Sequence, residues 1–165
     1  ESIYANALFL INIMAPLNIH NEYNFGSIHI VLPDSLVILP VIASAIQALS
    51  LLIILIAFFF DKNKEKRLWI YAFLIITVAI LFNKVLSATF MLWVIAFAIP
   101  ILKTSKDKTG FLILFTLSMF TYAVWPIGLF ALIRMDQFAI AILTIRNALL
   151  FLAPCYVALN TPSIN

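Results

Sequence analysis

The stretch LVILPVIASAIQALSLLIILIAFFF, residues 36–60, closed at once by DKNKEKR, residues 61–67, decides the fold. No charged side chain interrupts the first run, and its length exceeds the ~20 apolar residues that carry an α-helix across ~30 Å of hydrocarbon. Within it Ala43, Ser44, Gln47 and Ala48 stand three to four residues apart, a spacing that gives them a common side from which to meet neighbouring helices. The same texture repeats on both sides. Upstream lies the shorter run 3–17, broken by Pro16. Downstream lie 68–82, extended here through Asn83 and Lys84, then 85–102, 110–133 and 138–159. Trp125 and Pro126 predict a kink in the 110–133 segment.

Composition supports this reading. The 165 residues are 65% hydrophobic and only 10% charged, with a mean hydropathy of +1.14; a water-facing domain uses roughly 25% charged residues. An ordinary cytosolic enzyme, a nucleic-acid-binding domain and a disordered tail are thereby excluded. With only 3 glycines and unbroken Leu/Ile/Phe runs, the dyad alternation of an outer-membrane barrel is absent too. The expectation is an all-α, polytopic helical membrane protein of about five to six transmembrane segments, forming a single domain over residues 1–165. The chain begins with Glu1 and lacks a basic leader and a small-residue cleavage site, so it reads either as a processed chain or, the reading adopted here, as the C-terminal part of a longer protein. Upstream helices of that protein, or a partner subunit, then belong among its partners, together with membrane lipid.

Basic residues set the orientation. Lys62, Lys64, Lys66 and Arg67 fill one loop and Lys103, Lys106 and Lys108 another, so the positive-inside rule makes loops 61–67 and 103–108 cytoplasmic. The other side receives residues 18–35, a polar and aromatic loop with Glu22 and Asp34 but no Lys or Arg, plus the turns at Asn83/Lys84 and Arg134. Trp69, Tyr71 and Trp125 suit interfacial belts. One assignment satisfies every loop, and it makes this an integral protein of the cytoplasmic membrane.

Few residues exceed what a membrane anchor needs. Cys155, the only cysteine, lies in an apolar run and excludes an internal disulfide. His20 and His29 lack metal-ligand spacing, and no metal or cofactor is assigned. Lys84 is the basic residue between the two cytoplasmic loops, and it reads either as a snorkelling end residue or as a flexible point charge for phosphate. Asn83 and Ser87, four apart, add neutral hydrogen-bonding groups if that stretch is helical. Arg146 lies deeper in its segment, followed by Asn147 and preceded by Thr144, with Tyr122 available from the preceding helix. A guanidinium at that depth needs a partner or water: it either ties two helices together or receives an anionic group.

The segment NKVLSATFMLW, residues 83–93, resembles the helix-turn motif of polytopic GT-C class membrane glycosyltransferases, in particular the bacterial and archaeal mannosyltransferase-like family. That motif reads Lys-Val-x-Ser-Pro-Gln-Tyr-x-x-Trp; Lys84, Val85, Ser87 and Trp93 keep it, while Ala88, Thr89 and Phe90 replace Pro-Gln-Tyr. Three further pieces agree in order: ESIYA at 1–5, FGS at 25–27 and IRN at 145–147. The resemblance implies transfer of a mannose-like hexose from a polyprenyl-phosphate donor to a lipid or glycan acceptor on the external face. It also implies a catalytic carboxylate in an external loop upstream of this chain, with Lys84, Asn83, Ser87, Arg146 and Asn147 as candidates for the donor phosphate or its lipid path. The isolated chain is then expected to be inactive, and no nucleic acid partner is expected. Glu22, Asp34 and Asp136 are not assigned as the base, since loop carboxylates are ordinarily solvated. The competing readings are a transporter fragment, with Pro40, Pro100, Pro126 and Pro154 breaking helices around a midplane site, and a non-catalytic membrane assembly protein.

Overall fold

The computed structural model describes residues 3–17, 19–24, 27–83, 89–105 and 108–160. The described chain is mostly α-helical. Helix α1 covers Ile3–Met14, α2 Leu39–Phe60, α3 Leu68–Leu81, α4 Phe90–Ser105, α5 Lys108–Tyr122, α6 Leu129–Ile133 and α7 Gln137–Asn160. Three helical stretches, Asp34–Phe60, Lys108–Ile127 and Gln137–Val157, are long and apolar enough to cross a membrane; Ile3–Met14, Leu68–Leu81 and Phe90–Leu102 are apolar but shorter. The fold is thus that of a helical protein suited to a bilayer, with three helices of spanning length among the described residues where five to six crossings were expected.

The all-α expectation needs one correction. Within 18–35, strands β1 (His20–Asn24) and β2 (Ser27–Val31) pair antiparallel, His20 facing Val31 and Glu22 facing His29. The pairing uses backbone groups, so the polar composition of HNEYN does not prevent it, while Ile30 and Val31 suit a pleated strand. Ile19 is buried, and Ile30 and Leu32 pack on the same cluster as Leu8, Phe9, Leu132, Ile140 and Leu143. Asn21 donates from Nδ2 to the carbonyl of Ile133 at 2.8 Å, supplying a partner to a helix-end carbonyl that α6 cannot satisfy itself. The hairpin therefore closes the bundle end where α6 turns into α7.

That turn is locally well specified. Met135 takes a left-handed φ of 57°, and its amide bonds to Leu132 O at 3.0 Å while that of Asp136 bonds to Ala131 O at 2.9 Å, the Schellman pattern that satisfies terminal carbonyls. Asp136 then caps α7, its Oδ1 accepting the Ala139 amide at 3.0 Å.

Other boundaries differ from the sequence reading in instructive ways. The third helix ends at Leu81, and the Phe82 amide bonds back to Val78 and Ile80, so Asn83 stands beyond the helix. The fourth runs on to Ser105, past the expected 102. The kink at Trp125 and Pro126 is present as a π turn over Ala123–Ile127, with Trp125 at φ −136° and ψ 125°. Gly128 closes it: a Cβ there would lie 2.7 Å from Ala123 O. Pro40 sits at the start of α2, where its missing N–H costs no hydrogen bond, and Pro100 and Pro154 lie inside continuous helices. The transporter-like set of four broken helices reduces to one break.

Helix α2 is peripheral. Ala43 is its single buried residue, and Gln47 donates from Nε2 to Ala79 O of α3 at 2.7 Å. Ser44 instead bonds to Pro40 O of its own helix, and Ala48 is exposed, so only Ala43 and Gln47 of the expected interhelical set face a neighbour. Gln47 is the ninth of the 22 residues of α2, so the Ala79 contact sets the end of α3 beside the half of α2 nearer the hairpin. At the opposite end a small apolar cavity lined by Phe73, Leu102, Gly110 and Val157 joins the start of α3, the finish of α4, the start of α5 and the finish of α7. The bundle therefore has a hairpin end and a basic end, the latter carrying the 61–67 turn.

A buried polar seam as the candidate functional site

Polar side chains inside the bundle converge on Arg146. It descends nine residues along α7 from Gln137, about 14 Å at the helical rise, and its side chain is 0% exposed. Its Nη1 donates to Asn147 Oδ1 at 2.9 Å and its Nε to Thr121 Oγ1 of α5 at 3.5 Å; these two are not its whole set of interactions. Asn147 donates from Nδ2 to Asn6 Oδ1 of α1 at 3.4 Å, and Asn6 donates from Nδ2 to Thr144 Oγ1 at 2.9 Å.

The direction of donation gives the seam its logic. A guanidinium has donors and no acceptor, so donation flows outward from it until it reaches a backbone carbonyl on each branch. Thr144 passes its hydroxyl proton to Ile140 O and Thr121 passes its own to Leu117 O, both at 2.8 Å. Both amides act as relays, accepting with oxygen and donating with nitrogen. Asn6, Thr121, Arg146 and Asn147 are all buried, and the seam ties α1, α5 and α7 at mid-depth. Chemically, it holds a permanent positive charge in an interior closed to solvent, where a charge without partners is costly.

Of the residues singled out in the sequence, Arg146, Asn147 and Thr144 are brought together. Tyr122 is not: it is exposed, and its predecessor Thr121 is the residue that faces Arg146. Asn6 and Thr121 were missed. A signal for Asn6 existed, since an amide inside the apolar run IYANALFLINIM demands a partner. Asn83 is described just past α3, whereas Lys84 and Ser87 lie outside the described residues, as do Glu1, Ser2, Phe25 and Gly26 of the other matching pieces. Trp93 is exposed on α4. Glu22, Asp34 and Asp136 are exposed, in keeping with solvated carboxylates, and Asp136 serves as a helix cap.

At the basic end a second polar group orders the 61–67 turn. Asp61 accepts from the Asn63 amide at 2.8 Å, from Tyr71 Oη at 3.0 Å and from Arg67 Nη1 at 3.4 Å. The Asn63 amide, with help from Tyr71 and Arg67, holds the Asp61 carboxyl below its ordinary value. Among the described residues no group of three or more His, Cys, Asp or Glu side chains is arranged to hold a metal ion.

No protein-family model matches this chain, and neither a curated protein nor a solved structure matches it.

Proposed function

We propose that the chain is the membrane part of a polytopic hexosyltransferase. Its donor would be a polyprenyl-phosphate-linked, mannose-like hexose and its acceptor a lipid or glycan on the external face of a bacterial or archaeal plasma membrane, with five to six helices lodged in the bilayer. The reading originates in the 83–93 resemblance. One structural observation supports it: Asn83, the hairpin and the Arg134–Asp136 turn share one end of the bundle, and Arg146 and Asn147 descend from that end on α7. In this reading Lys84 meets the donor phosphate, Asn83 and Ser87 add neutral hydrogen bonds, and Arg146 and Asn147 border the lipid path. As the bond from the sugar C1 to the phosphate oxygen breaks, negative charge grows on the phosphate and a fixed cation stabilises it. The acceptor hydroxyl oxygen bonds to C1 and its proton passes to the upstream carboxylate.

The test uses the complete protein at matched membrane expression. Lys84→Met keeps the apolar stem and removes the charge, and should lower the initial transfer rate ~10- to ~1000-fold, equivalent to roughly 1.4 to 4 kcal/mol. Lys84→Arg should recover part of the loss. Unchanged kinetics in Lys84→Met would remove that residue from the site. The orientation is tested in a Cys155→Ser background: Asn63→Cys should be protected from an impermeant thiol reagent in intact cells while Asn24→Cys labels, and the reverse would overturn it.

A second reading, a non-catalytic assembly module, is favoured by the complete burial of Arg146 and its bonds to Thr121 and Asn147. These make the cation a fastener of helices. Under it, Lys84→Met leaves any associated transferase activity intact, whereas Asn147→Leu weakens the attachment of α1 to α7.

A further inference from the structure

The turn between α2 and α3 presents charge at a boundary marked on both sides by apolar side chains. Phe59 and Phe60 end α2 and Leu68 and Trp69 begin α3, all four exposed, Phe60 to 83%. Between them Lys62, Lys64 and Lys66 are exposed. The turn is not a loose tether: the Lys64 amide bonds to Asp61 O at 3.3 Å, that of Arg67 to Asn63 O at 3.2 Å, and the Asp61 carboxylate is engaged by Asn63, Tyr71 and Arg67. Lys64 Nζ stands 6.0 Å from the Phe58 ring centroid, its position set against the last turn of α2. Glu65 remains as the other acidic residue of a turn with three exposed lysines.

We propose that the Lys62–Lys64–Lys66 turn is a binding surface for the phosphate headgroups of anionic phospholipids in the adjoining leaflet. Exposed aromatic and aliphatic residues on both flanks seat themselves at the level where hydrocarbon gives way to headgroups, and that sets the lysines at phosphate depth. Long lysine stems reach laterally along that plane, and clustered basic residues next to a spanning helix are attracted to anionic lipid. Exposed lysines bracketed by exposed apolar side chains match a headgroup held at a hydrocarbon boundary, where a free anion would use only the charge and not the apolar flanks, so the occupant is lipid. Lys108, exposed at the start of α5 on the same end of the bundle, extends the surface. This surface serves a transferase and an assembly module equally.

The test reconstitutes the chain in nanodiscs of phosphatidylcholine mixed with phosphatidylglycerol and measures, by native mass spectrometry, which lipid stays bound after release. Wild type should retain phosphatidylglycerol in excess of its share of the bilayer. The Lys62→Gln/Lys64→Gln/Lys66→Gln variant should lose that preference by roughly 10-fold or more. The corresponding triple Arg variant should keep it, which separates charge from folding, and Arg134→Gln at the hairpin end should leave it unchanged. An unaltered preference in the triple Gln variant, or a loss in Arg134→Gln of equal size, would overturn the proposal. Inorganic phosphate added as competitor should not displace the retained lipid; displacement would make this a free-anion site and overturn the assignment to lipid.

Discussion

Arg146 and Arg67 make the same kind of contact in opposite surroundings. Each guanidinium donates to a side-chain oxygen and helps hold chain segments together, Arg146 joining α7 to α5 directly and to α1 through Asn147, and Arg67 closing the α2–α3 turn. Arg146 is fully buried, whereas the Arg67 side chain is 36% exposed beside an Asp61 carboxylate at 11%. Water competes for Arg67 and salt screens it. Neither remedy reaches Arg146, so its partners are obligatory. The lesson is that what matters is what each site would be left with if a partner were removed.

The largest expected effect follows from that difference. Asn147→Leu takes the 2.9 Å acceptor from Arg146 and the donor from Asn6 in one change. It should destabilise the bundle by about 2–4 kcal/mol, read as a lowered resistance to denaturing detergent in a bilayer-mimetic. Full retention of stability would mean that the seam is replaceable and that burial alone does not make a polar contact obligatory.

Next in size is Gly128→Ala. The added Cβ meets a backbone carbonyl, Ala123 O, at 2.7 Å, so the π turn itself must move. The cost should be about 1–3 kcal/mol. Because Thr121 lies just before that turn, weakened protection of the Arg146 region in hydrogen exchange should accompany it. A loss of protection confined to 129–133 would show that the seam is independent of the kink.

Much of this architecture was legible beforehand. An uninterrupted apolar run announced α2 and a long, largely apolar one α7, Pro126 beside Trp125 announced the kink, and the depth of Arg146 in the α7 run announced a buried polar group. The hairpin was not legible, because HNEYN pairs through backbone atoms and is anchored by Asn21 to a carbonyl of α6 far along the chain. Nor was the full seam. Asn6 meets Thr144 across 138 positions, and no helical period connects them. Thr121 and Tyr122 are neighbours in sequence yet point to different sides of α5, Thr121 buried and Tyr122 exposed, so naming Tyr122 as the group available from the preceding helix selects the wrong one. Spanning length was legible only in part: among the described residues Ile3–Met14, Leu68–Leu81 and Phe90–Leu102 are predominantly apolar but shorter than the three helices of full spanning length.

A smaller effect apportions the seam. Asn6→Ala, Thr144→Ala and the double variant form a cycle around the 2.9 Å bond between α1 and α7. The coupling should be about 0.6 kcal/mol, the typical value for hydrogen bonds within membrane bundles. It should not vary with salt, since both partners are neutral. A coupling near zero would assign the joining of α1 and α7 to apolar packing around Leu8, Ile140 and Leu143.

The smallest effect belongs to the exposed turn and has a pH signature that the buried seam lacks. Asp61 accepts from the Asn63 amide, Tyr71 and Arg67, and these hold its folded-state titration below the ordinary 3.8. A depressed carboxyl stabilises the folded form fully above its unfolded value and loses that contribution as pH falls through the lower folded value. Asp61→Asn should therefore unfold slightly more readily than wild type at neutral pH, and the gap should close below 3.8 as wild-type Asp61 takes up its proton. Raising salt should narrow the neutral-pH gap as well. The same comparison on Asn147→Leu should show a gap that persists at both low pH and high salt, because the guanidinium keeps its charge throughout and is fully buried. Parallel behaviour of the two variants would mean that the two arginines do not differ in the way their burial requires.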